Sequence, residues 1–181
     1  MLAYKKVLLN DGRECILRTP VSGDAPAIVE FMRVTAGDTE FLSRYPEEIR
    51  MTVEEEGAYL DLCAESSDRL MILAEVDGQI AGDADIHANG HTQKTRHRAG
   101  LGIAVRKEYW GLGIASKMMD LLIRRAKEMG YLQLELEVVA TNERGIRLYE
   151  KYGFKETGRN EKGFRLKDGT FIALISMALE L

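Results

Sequence analysis

A glycine-rich loop between a strand-like run and an amphipathic helical run constrains this chain most. The loop spans residues 109–116 and reads Tyr-Trp-Gly-Leu-Gly-Ile-Ala-Ser, with Leu101–Val105 before it and the helical run Ile114–Met129 after it. Gly111 and Gly113 let the backbone approach a ligand without an intervening Cβ. The first N–H groups of the helix lack intrahelical acceptors, and the helix dipole adds partial positive charge there. The loop therefore predicts a site for a cofactor that carries a pyrophosphate.

Length and charge narrow the class of protein. With 181 residues, 45% of them hydrophobic, and a net charge of −4, the chain suits one globular domain over 1–181 and disfavours general nucleic-acid binding. No apolar run approaches the roughly 18 residues of a membrane span, and the N-terminus lacks the apolar stretch of an export signal. Cys15 and Cys63 do not form a disulfide framework. These features predict a cytoplasmic protein with reduced thiols that binds neither nucleic acid nor membrane.

The hydrophobic pattern predicts the order β-β-α-α-β-β-β-α-β-α-β-β, which indicates an antiparallel meander followed by one crossover helix. Thr52 and Glu55 form a capping-box pattern at the start of the second helix. The predicted buried faces comprise Tyr59, Leu60, Leu62 and Cys63 on that helix, and Leu132, Leu134, Leu136 and Val138 on a later strand. The predicted strands are Tyr4–Leu9, Glu14–Thr19, Leu70–Val76, Gln79–His87, 97–105, 132–138, Phe154–Phe164 and Phe171–Leu179, and the predicted helices run from Ser22 or Asp24 to about Arg33, from Thr52 to about Glu65, over Ile114–Met129 and over 142–152.

Two motifs carry a resemblance to a known family. Residues 110–115 read Trp-Gly-Leu-Gly-Ile-Ala, and residues 142–154 read Asn-Glu-Arg-Gly-Ile-Arg-Leu-Tyr-Glu-Lys-Tyr-Gly-Phe. They resemble the phosphate motif Gln/Arg-x-x-Gly-x-Gly/Ala and the later segment Asn-x-x-Ala-x-x-Leu-Tyr-x-Lys-x-Gly-Phe of the GNAT (GCN5-related N-acetyltransferase) family, departing at Trp110 and Gly145. The resemblance implies a mixed α/β fold of the acyl-CoA N-acyltransferase type. Such a fold has a mostly antiparallel, twisted sheet of six to seven strands, about four helices, and fourth and fifth strands that splay apart.

The resemblance also implies a reaction, in which the acetyl group of acetyl-CoA moves to a primary amine by direct attack in a ternary complex. Asn142 lies where the family contacts the cofactor, and Tyr149 lies where the family places the acid that protonates the leaving thiolate. A phenol suits that step because it keeps its proton at neutral pH. The cofactor-binding residues implied on the strand edge and the loop are Ile103, Ala104, Val105, Gly111, Leu112, Gly113, Ile114, Ala115 and Ser116.

The general base is not assigned by the resemblance, because the strand 97–105 carries no carboxylate where many members place one. The Trp110 side chain cannot replace the hydrogen bonds that Gln or Arg would donate to phosphate. We therefore expect backbone N–H groups to make most of the contacts with the phosphate. We take Glu137 as the candidate base. Candidates on neighbouring strands are Glu135, Glu137, Asp83 and Asp85, the last two with His87. The alternative to a base on these strands is a chain of water molecules that carries the proton.

Plainer roles compete with these assignments. Asn142 also suits a helix N-cap, and Tyr149 also suits a core aromatic. His87, His91 and His97 lie in a loop region without a nearby cysteine, so no metal site is expected.

Two other functions remain as alternatives. A non-catalytic acyl-CoA-binding module is the main one, motivated by the missing carboxylate. A dinucleotide-binding oxidoreductase is disfavoured, because Ser116 stands where a third glycine would be needed. Segments 33–52, 88–98 and 160–170 are expected to shape the acceptor pocket, and the basic residues in 94–98 favour an acidic acceptor. Homodimerisation is compatible with the sequence.

Overall fold

The fold is taken from a computed structural model that describes residues 5–181. The order of helices and strands is the predicted one; the prediction at Tyr4 lies outside the described residues. The strands are β1 (Lys5–Leu8), β2 (Glu14–Arg18), β3 (Arg69–Val76), β4 (Gln79–Ala88), β5 (Arg98–Val105), β6 (Gln133–Val139), β7 (Lys155–Arg165) and β8 (Phe171–Glu180), and the helices are α1 (Ala25–Asp38), α2 (Val53–Glu65), α3 (Ile114–Glu128) and α4 (Glu143–Lys151).

The strands form one mixed sheet in the order β1-β2-β3-β4-β5-β6-β8-β7. This confirms the mixed α/β class, but the sheet has eight strands instead of the six to seven implied by the resemblance. At one edge of the sheet, β1 pairs antiparallel with β2 through the Asn-Asp-Gly turn. The register between β5 and β6 is parallel and joins Arg98–Gly100 to Gln133–Glu135.

Local signals at element ends are confirmed. The Glu55 N–H donates to the Thr52 hydroxyl, 3.1 Å away, and the Thr52 N–H donates to the Glu55 carboxylate at 2.9 Å. Asp77 and Gly78, at the turn between β3 and β4, both have positive φ angles, +51° and +76°. Gly130, with φ of +85°, follows the end of α3. These positions were predictable because each depends on a few neighbouring residues.

Contacts within the chain define two compact units. Unit 1 comprises the described residues up to His87 together with Gly102–Arg125. Unit 2 comprises Ala88–Leu101 and Ala126–Leu181. Among the described residues, no helix is long and apolar enough to cross a membrane.

In unit 1, helices α1 and α2 pack on the sheet through one hydrophobic cluster. Helix α1 continues to Asp38, five residues beyond the predicted end at about Arg33. It continues because Thr35 and Ala36 are buried, and the Thr35 hydroxyl donates to the Phe31 carbonyl at 2.8 Å. The cluster comprises Ala25, Ile28, Phe31, Leu60, Leu73 and Ile80, with Met32, Met71 and Ala104 packed against it.

The buried face of α2 differs from the predicted one. Leu60 and Cys63 are buried as expected, but Tyr59 is 39% exposed and Leu62 is 65% exposed. Glu56 is buried in their place, with 3% exposure. Positions 56, 60 and 63 form a single stripe along the buried face of the helix. Tyr59 and Leu62 lie beside this stripe and are therefore exposed.

In unit 2, β6 has the predicted alternation along its length. Leu134, Leu136 and Val138 are buried, whereas Leu132 is 63% exposed because it precedes the strand, which begins at Gln133. The prediction of an inward Leu132 is therefore wrong.

Candidate active site

The glycine-rich loop of unit 1 has the backbone conformation that its sequence requires. Gly111 and Gly113 have φ angles of +84° and +89°, in the left-handed region that favours glycine. Helix α3 begins at Ile114, which is 1% exposed. The Lys117 N–H donates to the Gly113 carbonyl at 3.1 Å, the first bond of the helix ladder. The N–H groups of the preceding turn have no carbonyl ahead of them in the helix, which makes this end suitable for an anion.

Asn10, in the turn between β1 and β2, holds this loop in place. Its side-chain amide donates to the Gly111 carbonyl at 3.1 Å, and its backbone N–H donates to the Leu112 carbonyl at 3.0 Å. In a trans peptide the carbonyl and the following N–H point to opposite sides. The N–H groups of Leu112 and Gly113 therefore point away from Asn10. The sequence does not indicate this contact, because the Asn-Asp-Gly turn has a sufficient local explanation as a hairpin.

Trp110 has a structural role at the position where the family motif has Gln or Arg. Its indole Nε1–H donates to the Val105 carbonyl at 2.7 Å and so ties the loop to the end of β5. Next to it, the Arg106 N–H donates to the Ala81 carbonyl of β4 at 3.0 Å. One carbonyl of the predicted pantetheine edge therefore already accepts a hydrogen bond.

The predicted edge itself, Ile103, Ala104 and Val105, forms the last residues of β5 in unit 1, all half-buried. Among the described residues, the parallel pairing of β5 with β6 includes only Arg98–Gly100 of β5. It does not extend to these three residues. Their contact with a pantetheine arm stays a prediction.

Two carboxylates of β4 lie beside this part of β5. An ideal Cβ on Gly102 would lie 2.6 Å from Oδ1 of Asp85, so the glycine makes room for that carboxylate. The Ala104 N–H donates to the Asp83 side chain. Burial, followed by the charges of Asp85 and Glu56, raises the pKa of Asp83 to about 7. A carboxyl with such a pKa can exchange a proton near neutral pH.

The histidine region does not form a metal centre within the described residues, where no group of three or more His, Cys, Asp and Glu side chains could hold an ion. His87 instead contacts Asp85, with 2.7 Å between Nδ1 and Oδ2, and this hydrogen bond raises the pKa of His87.

In unit 2, Glu135 is held by an ion pair and two amides. Arg98 donates to its two oxygens from Nε and Nη2, at 2.5 and 2.7 Å, and Asn89 and Gln133 donate at 2.8 and 2.6 Å. The Arg98 hydrogen bonds are the main reason that the pKa of Glu135 is lowered. Such a carboxylate is a weak proton acceptor. Glu137 is exposed and lies opposite Ser176 of β8; its role as base stays a prediction.

Asn142 caps α4, as its plainer interpretation predicts. Its Oδ1 accepts a hydrogen bond from the Gly145 N–H at 3.0 Å. An ideal Cβ on Gly145 would lie 2.7 Å from the Asn142 side-chain nitrogen, so an alanine here would require a small shift of the Asn142 side chain. A contact of Asn142 with cofactor stays a prediction.

Tyr149 is half-buried on α4 and packs edge-on against Phe154, with ring centroids 5.8 Å apart and planes at 60°. Burial raises the pKa of Tyr149 to about 12. The phenol therefore keeps its proton throughout the range in which enzymes operate, as a general acid must before it donates.

Comparisons with known proteins agree with this picture. The model of the acetyltransferase (GNAT) family matches residues 37–154. A GNAT-family acetyltransferase from Streptococcus pneumoniae has a similar structure, with a TM-score of 0.88 and 30% identity over 92% of this chain and 99% of that one. The yncA structure from Salmonella typhimurium, a putative acetyltransferase solved with its cofactor acetyl-CoA, has the same fold at a TM-score of 0.80 and 20% identity, covering 92% of this chain and 94% of that one.

One curated relative carries a named activity. The L-amino acid N-acetyltransferase AaaT of Escherichia coli is 29% identical over 108 residues, which is 59% of this chain. The match covers 65% of that relative's length.

Proposed function

The chain belongs to the acetyltransferase (GNAT) family, and we propose that it transfers the acetyl group of acetyl-CoA to a primary amine. The observation that carries this proposal is the loop at Gly111 and Gly113, whose positive φ angles and position before α3 suit a phosphate ligand. The reaction proceeds by direct attack of the amine nitrogen on the thioester carbon while both substrates are bound.

The cofactor is held mainly by backbone groups. The pyrophosphate accepts hydrogen bonds from the loop and from the first turn of α3. The pantetheine arm pairs with the end of β5 as an added strand would, and Asn142 contributes a further contact. The binding residues proposed on β5, the loop and α3 are Ile103, Ala104, Val105, Gly111, Leu112, Gly113, Ile114, Ala115 and Ser116.

Tyr149 acts as the general acid. When the tetrahedral intermediate collapses, the carbon–sulfur bond breaks and the thiolate of CoA takes the phenolic proton. The raised pKa of about 12 supports this role, because it keeps the phenol protonated until the thiolate forms. Without such a donor, the thiolate would leave as a charged group in a partly desolvated site.

The name of the curated relative makes L-amino acids the first acceptors to test, since their α-amines are primary amines. A non-catalytic acyl-CoA-binding module is the second candidate function. The strand β5 favours it, because its residues 98–105 include no carboxylate to act as a base.

Release of CoA thiol from acetyl-CoA tests both candidates, across a panel of amino acids, diamines and short peptides. An acetyltransferase releases thiol at a rate that saturates with one class of amine, and mass spectrometry detects the N-acetyl product. Binding of acetyl-CoA in calorimetry, with no amine-dependent release across the panel, would instead identify the binding module.

A further inference from the structure

Three carboxylates of unit 1 occupy the layer between α2 and the sheet. We propose that Glu56, Asp83 and Asp85 form the acceptor subsite, which binds the amine as its ammonium ion, and that Asp83 takes a proton from that ion. This inference rests on the proposed acetyl transfer and specifies its acceptor as cationic. It therefore opposes the acidic acceptor suggested by the basic segment 94–98.

Glu56 gives the strongest indication of a ligand. It is 3% exposed, and no hydrogen bond or ion pair of its carboxylate is found among the described residues. Burial raises the pKa of Glu56, as expected for a carboxylate without a cation. Thr35 is the other buried polar residue in the part of the chain that the structure describes, and its hydroxyl donates a hydrogen bond to the Phe31 carbonyl. The free-energy cost of burying a charged carboxylate is expressed in this raised pKa, and a cation bound beside Glu56 would remove that cost.

The strand register directs Asp83 and Asp85 toward the same layer. Asp83 lies opposite Leu73 of β3, and Asp85 lies opposite Met71. Directly opposed residues share one face of a sheet, and on that face Leu73 and Met71 belong to the cluster packed around Leu60 of α2. Glu56 precedes Leu60 by one helical turn on the buried stripe of α2.

Of the three carboxylates, Asp85 is paired with His87, whereas no ion pair of Glu56 or Asp83 is found among the described residues. The side-chain charges that act most on Asp83 are those of Asp85 and Glu56, both negative. His87 is hydrogen-bonded to Asp85. The Nε atom of Arg69 lies 3.6 Å from Oδ1 of Asp68. The positive charge of Arg69 opposes the rise in the pKa of His87 and of the Tyr59 hydroxyl. The ammonium ion of an acceptor therefore supplies the positive charge that Glu56 and Asp83 lack.

The subsite also lies next to the proposed thioester position. The Ala104 N–H donates to Asp83, and Asp85 occupies the space above Gly102. Gly102 and Ala104 both belong to β5, and Ala104 is part of the strand edge proposed to hold pantetheine. An amine bound by these carboxylates is therefore beside the carbonyl that it must attack.

The proton balance of the step is complete. The ammonium ion gives one proton to the Asp83 carboxylate, and the freed lone pair forms the carbon–nitrogen bond. The nitrogen then loses its second proton to water, the carbon–sulfur bond breaks, and the CoA thiolate takes the phenolic proton of Tyr149, which regains a proton from water. Asp83 returns its proton to solvent, so the products are an amide, CoA thiol and one proton. The pKa of about 7 suits Asp83 for a base that is regenerated near neutral pH.

The first test measures cation binding without turnover. Carbon-13 NMR of the carboxyl groups follows Glu56 and Asp83 while methylammonium chloride is added, with sodium chloride at equal ionic strength as the reference. We expect saturable shifts in the wild type that are absent in Glu56→Gln. Shifts equal to those caused by sodium chloride would overturn the subsite, whether or not the protein transfers acetyl groups.

The second test uses the pH dependence of kcat/KM for the acceptor that the panel identifies. Asp83→Asn should lower kcat by roughly 10²- to 10⁴-fold, with CoA affinity unchanged. It should also remove the acidic limb of the profile, which is the fall in kcat/KM below about pH 7. Glu56→Gln should raise the acceptor KM about tenfold, as expected for the loss of one charged contact. It should also move the limb to lower pH, because one negative charge near Asp83 is gone.

Asp61→Asn is the matched control, since Asp61 is exposed on the same helix as Glu56, and its kinetics should equal those of the wild type. Glu137→Gln tests the rival base. If that variant loses the limb while Asp83→Asn keeps it, the assignment of Asp83 is wrong although acetyl transfer stands. If the wild type releases no thiol with any amine, the proposed function fails, and the NMR titration alone decides the subsite.

Discussion

The side-chain amide of Asn10 donates a hydrogen bond to the carbonyl oxygen of Gly111, 3.1 Å away, although the two residues are 101 positions apart in the chain. Together with the bond from the Asn10 N–H to the Leu112 carbonyl, this contact fixes the peptide planes of the glycine-rich loop. The loop's N–H groups therefore point in a set direction before any ligand binds. Such preorganisation reduces the entropy lost on binding.

Replacing Asn10 with alanine should weaken CoA binding about fivefold, because one hydrogen bond contributes about 1 kcal/mol. The backbone bond from residue 10 to Leu112 remains in the variant, so the fold should persist. Isothermal titration calorimetry with CoA measures the change. Gln93→Ala, at an exposed position, is the control and should bind like the wild type. Equal affinities for both variants would show that Asn10 does not orient the loop for its ligand.

Adding a Cβ at Gly113 should impair binding beyond its effect on stability. The φ of +89° costs an alanine roughly 1–2 kcal/mol, and the new Cβ would lie 3.2 Å from the Asn10 side-chain oxygen. Gly130→Ala is the matched control, because its φ is +85° and no atom lies within 4 Å of the added Cβ. Urea unfolding should show a similar loss for both variants. CoA affinity should fall only for Gly113→Ala, and an equal loss in both would contradict a direct role of the loop.

The sequence predicted those parts of the fold that depend on neighbouring residues. The capping box of Thr52 and Glu55 and the turn at Asp77 and Gly78 follow from local hydrogen bonding and backbone conformation. The loop that begins α3 was predicted for the same reason. Asn10 was not, because its bond to the loop joins segments distant in sequence, and no local pattern records that contact.

The choice of a general base also depends on tertiary contacts that the sequence does not reveal. Glu137 and Asp83 are both acidic residues on strands, and their sequence contexts do not distinguish them. The difference arises from tertiary packing: Glu137 is exposed, whereas Asp83 is half-buried and accepts a hydrogen bond from Ala104 of β5, and its pKa rises to about 7. Glu56 was overlooked because a charged residue on a helix is usually solvated, and only the packing of α2 shows that it is buried.

Removing the charge of Asp24 should destabilise unit 1. The Arg18 guanidinium donates to both of its oxygens, from Nη1 at 2.7 Å and Nη2 at 2.8 Å, and this lowers the pKa of Asp24. Its stabilising effect is therefore present above the ordinary pKa of about 4 and is lost as the pH falls through the lowered value. Asp24→Asn should cost about 2 kcal/mol at pH 7.

Urea unfolding between pH 2.5 and 7 checks the effect of Asp24. The difference between wild type and Asp24→Asn should shrink toward the acidic end, as the wild-type carboxyl takes up a proton. Asp61→Asn is the control for a carboxylate exposed on a helix and should unfold like the wild type throughout. A difference that persists undiminished at pH 2.5 would mean that the asparagine disturbs packing and that the ion pair is not the cause.

Replacing Tyr149 with phenylalanine removes the proposed acid and little else. The ring keeps its edge contact with Phe154, so the fold and CoA affinity should change little. Turnover of acetyl-CoA with the acceptor should fall roughly 10²- to 10⁴-fold, because the thiolate leaves without a positioned proton donor. Tyr152→Phe, at the end of the same helix, is the matched control and should retain turnover.

A thioester with a more acidic leaving thiol provides a second test of Tyr149. The difference in turnover between Tyr149→Phe and the wild type should become smaller, because such a thiolate needs less protonation. Turnover in Tyr149→Phe equal to that of Tyr152→Phe would remove Tyr149 from the mechanism.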